Sequence, residues 1–176
     1  MLKAIQWVTF RIKLLAVRNR LRRIKLFVCD VDGVMTSGAV LYSADGSVLK
    51  QFSVYDGLGL QQIQHLGMTV AIVSGGGSSA ITARAKYLGI AHVLTNVVDK
   101  RQTVIELQSS LKMTVQDSLY IGDDVNDLVV RDCVSLFIAP LNAVKEVKSV
   151  ADVVLTRTGG NSCIRQLTDE VVRIHK

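Results

Sequence analysis

Residues 26–34 read Leu-Phe-Val-Cys-Asp-Val-Asp-Gly-Val, and this stretch decides the fold. Its first four residues are apolar, as in a parallel strand that is buried on both faces. Asp30 and Asp32 follow, at the strand end where open α/β sheets bind their ligands. There a first carboxylate can attack an electrophile, and a second can exchange a proton or offer its backbone carbonyl to a metal. Gly33 lets the chain turn away. Ordinary turns and calcium loops share this pattern, so the rest of the chain must decide.

The rest of the chain alternates short apolar runs with segments of helical periodicity. The apolar runs predict buried strands, and the segments between them predict helices. This alternation predicts an α/β fold with a doubly wound, mainly parallel, Rossmann-like sheet. The later strands are predicted at residues 68–73, 92–94, 118–121, 135–138 and 152–154. Helices are predicted over residues 56–67, with Asp56 as the expected N-terminal cap, over a segment that ends at about residue 88, and from residue 99 onward.

A hairpin is predicted between the first strand and the first of these helices. Residues 45–46 read Asp-Gly, a strong turn signal, and they lie between the β-rich runs 39–43 and 47–52. Because the hairpin follows the first strand directly, we expect it to project over the crevice. Its apolar residues have few partners in their own domain, which makes the hairpin a predicted association surface.

Three further strand ends carry groups suited to phosphate chemistry. Residues 74–79 read Ser-Gly-Gly-Gly-Ser-Ser, and such a loop before a helix either binds phosphate through free N–H groups or is a flexible turn. Lys100 lies just past a strand, and the acidic cluster Gly-Asp-Asp-Val-Asn-Asp at residues 122–127 follows another. The carboxyl ends of parallel strands share one edge, so these groups can converge. The acids would repel one another there unless a lysine and a divalent cation compensate, and oxygen ligands favour Mg²⁺.

Charge is unevenly distributed along the 176 residues. Residues 1–24 hold seven of the 21 Lys and Arg and none of the 15 Asp and Glu, which leaves 14 bases and 15 acids elsewhere. The isoelectric point near 9.4 therefore belongs to the N-terminal arm, and a nucleic-acid-binding domain is not indicated. Cys29, Cys133 and Cys163 are odd in number and far apart, which favours a reduced, cytoplasmic setting.

Two units are predicted: a basic N-terminal arm or helix over residues 1–23 and a single domain over residues 24–176. Apolar residues of the arm could form a helical stripe among basic side chains. We expect this helix to pack on the domain or on a neighbouring subunit, and contact with an anionic membrane surface is the less favoured alternative. The predicted stripe comprises Ile5, Val8, Phe10, Leu14, Leu15 and Val17.

The order of these motifs resembles the haloacid dehalogenase superfamily, in its phosphatase branch. The resemblance implies that Asp30 is the nucleophile that forms an aspartyl-phosphate, and that Asp32 is the general acid and then the general base. Ser74 and Lys100 would hold the transferring phosphoryl oxygens. Asp123 would bind Mg²⁺ together with Asp30 and the backbone carbonyl of Asp32.

The short spacing between the motifs of this chain leaves no room for the cap domain that most members of the superfamily insert over the crevice. A capless family with this layout is the 3-deoxy-D-manno-octulosonate 8-phosphate phosphatases. The chain is similar to this family at residues 30–38, 42–52, 56–59, 122–127, 151–153 and 156–160. Membership would imply a Mg²⁺-dependent sugar-acid phosphatase of lipopolysaccharide precursor synthesis. It would also imply a homotetramer in which the hairpins of residues 39–52 meet. In the final acidic motif, Asp124 and Asp127 would orient Lys100 or the water on the metal.

Three positions depart from that family, which usually has basic residues where this chain has Tyr55, Gly76 and Asn161. Gly75 and Gly76 remain the predicted substrate-binding residues of the loop, but glycine cannot bind a carboxylate as guanidinium does. Arg84, on the following helix, is the predicted compensating cation. The alternatives are a phosphatase for a nine-carbon sugar acid or another small phosphate ester, and a non-catalytic oligomeric relative.

Overall fold

A parallel sheet of six strands forms the centre of the computed structural model, which describes residues 2–175. The strands are β1 Leu26–Cys29, β2 Leu41–Tyr42, β3 Val48–Leu49, β4 Thr69–Val73, β5 His92–Leu94, β6 Ser118–Ile121, β7 Leu136–Ala139 and β8 Val153–Val154. The large sheet has the order β5-β4-β1-β6-β7-β8, and β2 and β3 form a separate antiparallel pair. The predicted doubly wound α/β fold is thus confirmed.

Within residues 2–175, seven α-helices connect or flank these strands. They are α1 Leu2–Ala16, α2 Arg18–Leu21, α3 Val54–His65, α4 Ser79–Leu88, α5 Lys100–Ser110, α6 Lys145–Val150 and α7 Cys163–His175. A 3₁₀ turn at Val115–Asp117 precedes β6, and a longer 3₁₀ segment, Val125–Cys133, precedes β7. Among the described residues, no helix is both long and apolar enough to cross a bilayer.

The strand β1 lies at the middle of the sheet and is fully buried. Its Leu26 pairs with Thr69 of β4 on one side and with Ser118 of β6 on the other. Successive side chains of a strand point to opposite faces of the sheet. Accordingly, Phe27 faces the core under α3, α4 and α7, whereas Val28 faces the core under α5 and α6. Both faces of β1 are covered, which explains its continuous apolar run.

The first long helix after the hairpin begins at Val54, two residues earlier than predicted. The Ser53 hydroxyl is its N-cap and accepts a hydrogen bond from the Asp56 backbone N–H at 3.3 Å. The Asp56 side chain, which we expected to cap this helix, instead accepts from the backbone N–H groups of Ser162 and Arg165 at 3.2 and 2.7 Å. Asp56 therefore caps the start of α7 and joins the two helices, although burial raises its pKa.

The N-terminal helix α1 divides the predicted stripe between two faces. Phe10, Leu14 and Val17 are buried and belong to the core that α3, α4 and α7 cover. Val8 and Leu15 are on the outside, 49% and 63% exposed. The prediction of a single stripe was wrong because spacings of three and four residues occur twice in this helix, on opposite sides.

The hairpin is present, but its strands β2 and β3 are only two residues long. Gly46 takes a φ of 83° in the turn, as the Asp-Gly pair predicts. Leu41, Tyr42 and Leu49 are exposed by 53%, 73% and 54%, whereas Phe52 at its base packs on the core. The hairpin thus leaves the domain with its apolar side chains uncovered in the single chain.

Candidate active site

Lys100 is the centre of the candidate active site. Asp99 caps the N-terminus of α5 by accepting from the Gln102 backbone N–H at 2.9 Å, which fixes Lys100 as the first helical residue. The ammonium of Lys100 is 3% exposed and lies between two carboxylates, 2.8 Å from Asp30 Oδ1 and 2.7 Å from Asp127 Oδ1. Strand ends that are far apart in the sequence therefore meet at one buried cation.

Asp127 is fully buried, and both of its carboxylate oxygens are occupied. Besides Lys100, the Tyr120 hydroxyl donates to Oδ1 at 2.6 Å. The backbone N–H groups of Asp123 and Asp124 donate to Oδ2 at 2.9 and 3.3 Å. A carboxylate with four donors has little capacity left for a metal, so its part is to position Lys100 and the loop that carries Asp123.

Among the described residues, Asp30, Asp123 and Asp127 form a cluster that could hold a metal ion. One oxygen from each carboxylate lies within 4.8 Å of the others. Because Asp127 is occupied, the available oxygens are those of Asp123 and the oxygen of Asp30 that Lys100 does not hold. A Cβ at Gly33, whose φ is 88°, would collide with the Asp123 carboxylate, so this position requires glycine.

The acids of this cluster are only partly compensated. Burial, followed by the charge of Asp127, raises the pKa of Asp30 to about 7, although Lys100 opposes the shift. Burial, followed by Asp30 and Asp127, likewise raises the pKa of Asp123 to about 7. One lysine among three carboxylates leaves an excess of negative charge, and an added cation would remove it.

Asp32 lies at the open side of the crevice. Its carboxylate pairs with the Lys50 ammonium, which the hairpin carries, and it lies 3.5 Å from the Thr36 hydroxyl. The Asp32 side chain is 38% exposed, whereas the Lys50 side chain is 6% exposed. The hairpin therefore covers the crevice of its own subunit with a lysine, which the sequence analysis did not identify.

The loop after β4 begins inside the protein and then emerges at the crevice. Ser74 is 1% exposed and is held by two backbone hydrogen bonds, to the Leu94 carbonyl at 2.9 Å and from the Val97 N–H at 3.0 Å. Gly75 and Gly76 are exposed. A Cβ at Gly76 would lie 3.5 Å from Asp32 Oδ2 and 3.9 Å from Ser74 Oγ. A side chain at position 76 would thus begin at the candidate acid and the candidate phosphate ligand.

The side chains of Arg84 and Asp124 do not join the other candidate active-site residues. The Arg84 guanidinium donates to the Ser53 carbonyl at 2.8 Å and lies 5.8 and 5.6 Å from the ring centres of Phe52 and Tyr87. It supports the start of α3 and the base of the hairpin. The Asp124 side chain accepts from the Val125 backbone N–H at 2.7 Å and caps the 3₁₀ segment.

Asn142 is a further residue that the sequence analysis missed. Its amide donates to the Gly33 carbonyl at 2.9 Å and accepts from the Gly159 N–H at 2.6 Å. It therefore joins the loop after β1 to the glycine pair near the chain end. A single asparagine beyond β7 gives no local signal of such a role, since both of its partners are backbone groups distant in the sequence.

The chain is similar to known hydrolases both in sequence and in structure. The model of the haloacid dehalogenase-like hydrolase family matches residues 77–164. A 3-deoxy-D-manno-octulosonate 8-phosphate phosphatase of Haemophilus influenzae is 32% identical over 157 residues, which are 89% of this chain and 87% of that protein.

Two solved structures are similar over nearly the whole of both chains. The 3-deoxy-D-manno-octulosonate 8-phosphate phosphatase of Moraxella catarrhalis, in complex with magnesium ion, phosphate ion and KDO, has a TM-score of 0.88 and 33% identity, covering 90% of this chain and 91% of that one. A putative hydrolase of the haloacid dehalogenase superfamily, subfamily III A, from Legionella pneumophila has a TM-score of 0.90 and 34% identity, covering 94% and 91%.

Proposed function

The chain belongs to the 3-deoxy-D-manno-octulosonate 8-phosphate phosphatase family of the haloacid dehalogenase-like hydrolases, and on that premise we propose that it hydrolyses this sugar-acid phosphate in lipopolysaccharide precursor synthesis. The observation that carries the proposal is the buried Lys100 between Asp30 and Asp127, with Asp123 beside them. Phosphoryl transfer needs such fixed positive charge close to a carboxylate nucleophile.

In the proposed reaction Asp30 is the nucleophile, and Asp32 is the general acid and then the general base. A carboxylate oxygen of Asp30 attacks phosphorus while the bond from phosphorus to the sugar oxygen breaks, and Asp32 gives its proton to that leaving oxygen. Asp32 then takes a proton from water as the water attacks the aspartyl-phosphate. Inorganic phosphate leaves, and the Asp30 carboxylate is restored. Ser74 and Lys100 hold the phosphoryl oxygens during both steps.

The available donors fit Mg²⁺. Asp30 and Asp123 would hold it with the backbone carbonyl of Asp32, and hard oxygen ligands with few carboxylates are what this ion takes. When bound, Mg²⁺ supplies positive charge to the phosphoryl oxygens. Mg²⁺ should therefore raise the melting temperature of the wild-type protein relative to the protein in EDTA. Asp123→Asn should abolish that increase and, by relieving repulsion, should melt no lower than the wild-type protein in EDTA.

A homotetramer joined through the hairpins of residues 39–52 is part of the proposal. The exposed Leu41, Tyr42 and Leu49 support it, because protruding apolar side chains favour association. Light scattering at micromolar concentration should give the mass of four chains. A monomer would contradict this assembly without affecting the chemistry. We further place the enzyme in the cytoplasm, where its three free, buried cysteines stay reduced.

The glycine at position 76 favours a second candidate substrate class. Without a basic side chain there, the loop offers no guanidinium to a sugar acid. A small phosphate ester without a carboxylate would then be the substrate of the same chemistry.

A phosphate-release screen over sugar phosphates, with and without Mg²⁺, tests the function. We expect Mg²⁺-dependent release, fastest with 3-deoxy-D-manno-octulosonate 8-phosphate, and no release by Asp30→Asn. Faster release from another ester would favour the second candidate. Release by the Asp30→Asn variant at the wild-type rate would contradict the mechanism.

A further inference from the structure

The helix α1 has a second apolar face that nothing in the single chain covers. Ile5, Val8, Ile12 and Leu15 are spaced by three, four and three residues, which places them on one side of a helix. They are 56%, 49%, 62% and 63% exposed. The opposite side, with Phe10 and Leu14, is buried in the core. We call these four exposed residues the outer stripe.

The chain segment that carries the outer stripe is basic. Residues 1–24 contain seven Lys and Arg and no acid. Two of these bases reach acids elsewhere, since Arg11 binds Glu170 at 2.7 Å and Arg20 binds Asp152 at 2.9 Å. Those two acids are already shared, because Glu170 also binds Arg173 and Asp152 also binds Arg131. The ion pairs therefore leave the positive charge of the helix uncompensated.

We propose that the outer stripe binds an anionic lipid surface, with α1 lying in the membrane interface and the domain held beside it. A helix whose exposed apolar residues are flanked by cations has the chemistry of an interfacial anchor. Each basic residue adds attraction to acidic lipid headgroups. The only charged residues of two α1 helices brought together would be basic and would repel one another, so charge disfavours a second copy of the chain as the occupant.

Trp7, the one tryptophan of the chain, provides a fluorescence readout of α1 from the flank of the helix, outside the outer stripe. It is 57% exposed and lies in α1, with the Arg11 guanidinium 5.8 Å from its ring centre. Its emission should shift to shorter wavelength when the full chain is mixed with vesicles of phosphatidylglycerol and phosphatidylcholine. Vesicles of phosphatidylcholine alone should cause no shift, and added salt should reverse it.

The variants separate the apolar and the basic contributions. Ile12→Ser combined with Leu15→Ser should lower binding in a vesicle flotation assay at least about tenfold. Lys13→Gln combined with Arg18→Gln should lower it roughly fivefold for each charge removed. The matched control is Val129→Ser with Val150→Ser, which removes apolar side chains that are 48% and 42% exposed elsewhere. The control should bind as the wild type does.

Circular dichroism and phosphate release should be unchanged in all three variants, because none of these residues belongs to the candidate active site. Equal flotation of the wild type and the outer-stripe variant would overturn the proposal. A wild-type protein that fails to bind anionic vesicles would also overturn the proposal, whatever effect the outer-stripe substitutions have on the mass of the oligomer. A lowered mass in that case would identify the stripe as a contact between chains.

Discussion

The Lys100 ammonium lies among three carboxylates, which carry more negative charge than one cation can neutralise. Removing one acid should relieve repulsion, whereas removing the base should leave buried carboxylates without a positive charge beside them. We therefore expect Asp30→Asn to unfold in EDTA at the wild-type temperature or above. Lys100→Met should lose about 3–5 kcal/mol of unfolding free energy, the usual cost of breaking a buried ion pair. Both variants should release no phosphate.

Thermal and denaturant unfolding in EDTA measure this difference. Lys100→Met is nearly isosteric, so a loss of stability would reflect charge more than a cavity. A Lys100→Met protein as stable as the wild type would contradict a stabilising role for the ion pairs of Lys100 with Asp30 and Asp127.

Gly76 offers a gain-of-function test. Its backbone is outside the left-handed region, and a Cβ there has ordinary contacts, with Asp32 and Ser74 nearest. Gly76→Arg should raise kcat/KM on 3-deoxy-D-manno-octulosonate 8-phosphate about ten- to a hundredfold, mainly through a lower KM, because a charge-assisted hydrogen bond contributes about 1.5–3 kcal/mol.

The control for this variant is Gly75→Arg, whose new side chain would begin beside the Val97 carbonyl, 3.6 Å away. A sugar phosphate without a carboxylate should gain little from either substitution. If Gly76→Arg improves both substrates equally, the added charge serves the phosphate. If it improves neither, the new guanidinium is held by Asp32.

At the scale of elements, the hairpin has two parts that a pair of variants can separate. Its base brings Lys50 to Asp32, and its strands expose Tyr42 and Leu49. Lys50→Gln should lower kcat/KM about tenfold, as expected when a charged hydrogen bond in an active site is lost, and should leave the assembly intact. Tyr42→Ser with Leu49→Ser should lower the molecular mass.

Steady-state kinetics combined with light scattering distinguish these effects. An unchanged kcat/KM in Lys50→Gln would mean that the Lys50–Asp32 ion pair exists only in the free enzyme and is displaced by the substrate. If the Tyr42 and Leu49 variant keeps its mass, the assembly contact lies elsewhere on the molecule.

Elements with a local signal could be predicted from the sequence. Strand β1 is apolar throughout because both of its faces are buried, and Asp99 and Gly89 mark a helix start and a helix end by their own chemistry. The convergence of Asp30 with Lys100 and Asp123 also followed, since parallel strands share one carboxyl edge.

Other features depend on contacts between distant segments, which no local pattern encodes. Asp56 looked like the cap of its own helix, but Ser53 serves there and leaves Asp56 for α7. Lys50 is one lysine of a hairpin until the fold brings it to Asp32. Arg84 was expected at the substrate, and its contact with the Ser53 carbonyl is equally invisible in the sequence.

For the molecule as a whole, the burial of the cysteines predicts slow thiol chemistry. Cys29 and Cys163 are fully buried and Cys133 is 4% exposed, and burial raises the pKa of all three thiols. A raised thiol pKa means less thiolate at a given pH, and thiolate is the reactive form. At pH 8 the native protein should therefore react with a disulfide reagent at least about a hundredfold more slowly than the unfolded chain.

The assay counts three thiols in concentrated guanidinium chloride and compares that rate with the native rate. One thiol that reacts at once in the native protein would show that its segment opens freely. Cys133 is the position to watch, because it is the last residue of the 3₁₀ segment Val125–Cys133 and is 4% exposed.

The central place of β1 bears on how the chain is made in the cell. Translation produces β1 before either of its neighbours, and its partner residues Thr69 and Ser118 come much later. Until the ribosome has released β6, one edge of this apolar strand has no partner. Such long-range pairing is slow, and exposed strands of this kind aggregate. Synthesis of this protein should therefore depend on chaperones that shield nascent chains, and a transcript that stops before the codon for Ser118 should yield inclusion bodies.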